Sequence, residues 1–93
     1  MTEIDTKEIE RLLHQVANAP TKAAAKADSD RLEFLATSVR GRVNGYAAGK
    51  LAQAVISAKA ASGRVEHKER EIGRMESAWY VFRNEIANHD QNT

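Results

Sequence analysis

The chain of 93 residues carries 14 basic and 13 acidic side chains, a net charge of +1, so overall charge singles out no polyanionic or polycationic partner. It has no cysteine, which excludes disulfide staples, thiolate zinc sites and cysteine nucleophiles. Apolar residues make up 42%, but 16 residues are alanine and only five are aromatic, a thin core for one domain of this size.

Residues 1–5, Met-Thr-Glu-Ile-Asp, lack the basic and then apolar pattern of a signal peptide. No run approaches the roughly 18 apolar residues that cross a bilayer. A cytoplasmic chain with no membrane partner is the expectation. Helical periodicity runs almost end to end, without an alternating strand pattern to compete with it. The fold class expected is all-α, a helical hairpin or a small bundle of three or four helices within a single domain over 1–93.

Ile9, Leu12, Leu13 and Val16 share one stripe, and Asp5 with Glu8 matches a capping box, predicting a helix over 6–18. Pro20 stops it, because the ring cannot donate and crowds the preceding turn. The alanine- and lysine-rich stretch 21–28 reads equally as helix or linker. Ser29 and Asp30, with Glu33, offer a cap for the next helix. Its stripe is Leu32, Leu35, Ala36, Val39 and Val43, and the same phase continues through Ala47, Leu51, Ala54, Ala58 and Ala61. Asn44-Gly45 is a strong breaker near 44–46, whereas unbroken phase favours one helix over 29–62, and continuity is the reading preferred. Gly63 then supplies a stop.

From Val65 a seam with one lysine in it alternates at spacings of three and four: Val65, then Lys68, Ile72, Met75, Trp79, Phe82 and Ile86. That is a heptad seam on a helix over 65–88, of coiled-coil type, followed by a polar tail at 89–93.

Two features point to association. Residues 78–82 read Ala-Trp-Tyr-Val-Phe, and five consecutive apolar side chains encircle a helix. Trp79 and Phe82 belong to the seam while Tyr80 and Val81 point away, so a second cover is needed, from another subunit or from the first helix. The interface expected comprises Ile72, Met75, Trp79, Tyr80, Phe82 and Ile86. Separately, Gly41, Gly45 and Gly49, prolonged by Ala52, Ile56 and Ala60, form a narrow row on which a helix backbone could approach closely.

Charge is unevenly placed. Between Phe34 and Val65 there is no acid and five bases, Arg40, Arg42, Lys50, Lys59 and Arg64, whereas residues 1–33 and 66–93 each sum to −2. A basic centre of this kind either binds phosphate, with Arg40, Arg42, Lys50 and Arg64 as candidates, or pairs with the acidic helices beside it. On a straight helix those bases scatter around the axis, which counts against a single basic stripe.

Recognisable catalytic chemistry is missing. Gly45-x-x-x-Gly49-Lys50-Leu51 is one residue short of a phosphate loop and ends in leucine where magnesium needs a hydroxyl. His14, His67 and His89 lack paired metal-ligand spacing, and Glu66, Glu69, Glu71 and Glu76 read as a solvated helix face. No metal and no cofactor is expected. The functional expectation is a non-enzymatic interaction module of adaptor or inhibitor type, a homo-oligomer with a further protein partner. Nucleic acid or nucleotide binding through the basic centre is the alternative.

Overall fold

The computed structural model describes residues 4–91, with side chains through Ala87, and these residues form four helices and no strand. Helix α1, Thr6–Asn18, starts where the Asp5 carboxylate accepts a hydrogen bond from the Glu8 N–H at 3.0 Å. Such a cap satisfies one of the four backbone donors that a helix start leaves free. Ile9, Leu12, Leu13 and Val16 all turn inward and are buried.

Helix α2, Lys22–Arg40, begins seven residues before the Ser29 cap anticipated from sequence. Thr21 Oγ1 accepts from the Ala24 N–H at 3.0 Å. Alanine has the highest helix propensity, so with that cap in place the 21–28 stretch is helix and Ser29 and Asp30 lie inside it.

The expected continuity through 29–62 is also corrected. Helix α2 ends at Arg40, residues 41–44 turn, and α3 covers Gly45–Ala61. The Asn44 side chain caps α3 by accepting from the Ala47 N–H at 2.9 Å. Folding back lets Lys59 of α3 pair with Glu33 of α2 and brings α3 against α1 and α2 as well as α4. The glycine row is interrupted by the same turn. Gly41 caps α2, Gly45 opens α3, and Gly49 and Ile56 face outward from α3, Ile56 at 65% exposure.

Helix α4, Lys68–Gln91, starts three residues later than the heptad pattern suggested and leaves Val65 in the preceding turn, 95% exposed. Gly63 causes this. Its φ of 74° closes α3 in the left-handed region, and residues 64–67 are then used to reverse the chain, with His67 also at a positive φ of 62°. The turn is tied to the α1–α2 junction: Gly63 N–H donates to the Ala19 carbonyl at 3.0 Å. The Lys22 ammonium donates to the Lys59 and Ser62 carbonyls at 2.7 and 3.1 Å, placing positive charge at the C-terminus of α3.

Helix α4 packs mainly along α3 and more lightly on α1. Phe82, Met75 and Trp79 join Leu12, Leu13, Leu32 and Leu51 in one core. No described helix is long and apolar enough to cross a membrane.

Two glycines should respond oppositely to alanine. A Cβ at Gly63 would sit 3.2 Å from the Lys22 nitrogen at a positive φ, so Gly63→Ala should cost about 1–2 kcal/mol. A Cβ at Gly49, inside α3, meets nothing within 4 Å, so Gly49→Ala should add about 0.5–1 kcal/mol. Urea denaturation followed by circular dichroism measures both.

Candidate functional site

The six residues expected at an interface divide sharply. Met75, Trp79 and Phe82 are buried within the chain, and Ile72 and Ile86 pack half-buried against the same core. The Trp79 and Phe82 rings stack with centroids 5.3 Å apart. These three buried side chains are therefore core and not a free seam, because α3 and α1 together cover the face that the heptad pattern marks. Tyr80 alone of the six is exposed, at 67%. Helix α1 does not cover it, so the anticipated internal cover is missing, while Val81 is half-buried on the other side.

Each flank of α4 borders a groove. The one toward α1, about 470 Å³, is lined by Glu10 and His14 of α1 and by Glu76, Trp79, Tyr80, Arg83, Asn84 and Ala87 of α4. Trp79 Nε1–H donates to Glu10 Oε1 at 2.6 Å, and Arg83 reaches the same oxygen at 3.4 Å. A charge-assisted bond of this kind lets the indole stay buried with its polar edge satisfied. The same Glu10 carboxylate pairs with Arg83, three residues on from Tyr80. Glu76, by contrast, makes no ion pair or hydrogen bond among the described residues.

The other groove, between α3 and α4, is about 650 Å³ and open to solvent. Lys50, Gln53 and Ser57 line it from α3, and Arg70, Gly73, Arg74, Ser77, Ala78 and Val81 from α4. It holds three cationic side chains and no carboxylate. The Lys50 ammonium lies 5.5 Å from the Tyr46 ring centre, a cation–π distance. Arg74 Nη1, on a mostly exposed side chain, is 3.3 Å from the largely buried Glu71 in an i, i+3 pair, and Arg70 has no hydrogen-bond or ion-pair partner among the described residues.

The four phosphate candidates do not converge. Arg40 donates to Thr37 Oγ1 at the end of α2, and Arg42 lies in the α2–α3 turn. Arg64 lies in the turn after α3, so the 17 residues of α3, about 25 Å, separate it from Arg42. Only Lys50 reaches the cationic groove. Sequence reading missed Arg70 and Arg74 because they belong to a segment that is acidic in sum. A finer signal was present, since Arg70, Arg74, Ser77 and Val81 follow i, i+4, i+7 and i+11 and share one edge of α4.

The phosphate-loop reading stays rejected, because Gly45–Lys50 forms the first helical turns of α3 and not a loop. His14 borders the first groove, and His67 lies in the turn before α4. His89 lies outside the residues with described side chains. Among the described residues, no group of three or more histidine and carboxylate side chains is placed to hold a metal ion. Comparison with family models, curated proteins and solved structures finds no match.

The division of α4 into buried seam and exposed Tyr80 has a direct measure. Phe82→Ala should cost about 3–5 kcal/mol by opening a cavity. Tyr80→Ala should change stability by no more than about 0.5 kcal/mol, because the side chain stands in solvent.

Proposed function

We propose that this protein works by binding and not by catalysis, as a helical interaction module of adaptor or inhibitor type that pairs with a second copy of itself through α4. The exposed Tyr80 carries the reading. A tyrosine combines large apolar area with few rotatable bonds, which suits it to anchor an interface.

The side chains around Tyr80 favour a second copy as the occupant. Glu76 and Arg83 stand seven residues apart on the flank that faces α1, with Tyr80 between them. Seven residues return to nearly the same side of a helix. When two copies of α4 lie antiparallel across a two-fold axis near Tyr80, Glu76 of each meets Arg83 of the other. Such an isologous contact is self-complementary in charge, with the two tyrosines packed at its centre. Further protein partners of the module would dock on the paired form.

Sedimentation across a concentration series tests the pairing. The wild-type chain should shift from monomer to dimer, and Tyr80→Asp should remain monomeric with unchanged helix content. Glu76→Arg or Arg83→Glu alone should weaken the dimer about tenfold or more, and the double swap should regain most of the loss. A wild-type chain that stays monomeric at every concentration, or a double swap as weak as the single variants, would exclude this interface.

A further inference from the structure

We infer that the α3–α4 groove binds a small phosphate-bearing anion, of the size and charge of a nucleoside diphosphate. This site is distinct from the Tyr80 flank and does not depend on pairing.

Three observations support it. Lys50, Arg70 and Arg74 come from two helices and line one groove that contains no carboxylate, so their charges add where an anion would lie. Gln53, Ser57 and Ser77 lie among them and supply neutral hydrogen-bond donors and acceptors. The cations are also available. Arg70 has no hydrogen-bond or ion-pair partner among the described residues, Lys50 has an aromatic contact only, and Arg74 meets Glu71 at 3.3 Å with its own side chain mostly exposed. Arginine's planar fork suits two phosphate oxygens at once.

Gly73 leaves the backbone of α4 accessible from the groove. It lies inside α4, where glycine is unfavourable to a helix by about 1 kcal/mol relative to alanine, and it lines the groove between Arg70 and Arg74. A Cβ there would meet nothing within 4 Å, so no packing inside the chain requires glycine. A ligand lying close to the helix backbone there would have the room that the missing Cβ leaves.

The ligand's reach follows from where the cations lie. The groove is open to solvent, so its cations and not an enclosing wall decide what it holds. A nucleic-acid strand would need cations continuing along its backbone, whereas Arg40, Arg42 and Arg64 lie at the two ends of α3. The apolar part of the groove, Ala78 and Val81, offers a surface for a ring or sugar beside the charged part.

Calorimetric titration of the full chain at about 50 mM salt tests the site, with inorganic phosphate, pyrophosphate, a nucleoside diphosphate and a ten-nucleotide thymidine strand as separate probes. Pyrophosphate or the nucleoside diphosphate should bind, and tighter binding of the nucleotide marks a contribution from its base or sugar. Arg70→Ala with Arg74→Ala should weaken binding about tenfold or more with helix content unchanged. Removing the same charge at Arg40 and Arg83 should weaken it far less. Tyr80→Asp should bind as wild type, which separates this site from the pairing interface. No binding of either diphosphate, equal losses from the two arginine pairs, or tighter binding of the strand than of the nucleotide would overturn the inference.

Discussion

The arrangement of the helices depends on one stitch between two turns distant in sequence. Gly63 N–H donates to the Ala19 carbonyl, and the Lys22 ammonium closes over the Lys59 and Ser62 carbonyls. The first bond requires the backbone of residue 63 to pass close to residues 21 and 22, which a side chain would obstruct. The second neutralises the carbonyl end of α3 with a cation carried by α2. Together they fix where α3 stops and so where α4 starts its return. That register brings Arg70 and Arg74 opposite Lys50, Gln53 and Ser57.

Alanine supplies the rest of the geometry. The buried face of α3 is Ala47, Leu51, Ala54, Val55, Ala58 and Ala61, so two helices can approach closely over much of that face. Close approach buries little area per residue, and the larger contributions come from Phe82, Trp79 and Met75 of α4 with Ile9, Leu12 and Leu13 of α1. A thin core is therefore workable because the few large side chains gather where α1, α3 and α4 meet. The Trp79–Glu10 hydrogen bond links α1 to α4 at that place, although contact between these two helices is otherwise light.

Local signals in the sequence are legible where one residue decides the structure. Asp5 caps α1 and Pro20 follows its end, both visible without any tertiary contact. The all-helical class follows from periodicity. What escaped reading was set by choices between near-equal local states. The phase of alanine across 41–44 fits one helix or two, and the side-chain cap at Asn44 with the gain from folding back decides for two. Val65 continues the heptad in phase, yet the reversal at Gly63 consumes it. The seam residues were recognised as apolar, but periodicity identifies a buried face without naming what buries it. Here α3 and α1 do so, and the interface candidates Met75, Trp79 and Phe82 became core.

Helix α4 consequently has three kinds of surface, and their separation has a physical origin. Its buried side takes the largest residues, and the flank toward α1 carries Glu76, Tyr80 and Arg83, of alternating character. The flank toward α3 carries Arg70, Arg74 and Ser77, of one sign. Summed over the whole chain, charge comes to only +1, which is why net charge is uninformative. Resolved around the helix the charges separate, because side chains three or four positions apart share a flank while immediate neighbours diverge by about 100°. A small phosphate-bearing anion in the α3–α4 groove and a second copy on the Tyr80 flank would each meet the charge pattern it needs. Neither would displace the other. Both surfaces rest on the same buried face, so a change at Phe82 or Met75 would disturb them together, whereas changes at Tyr80 or Arg70 act on one alone.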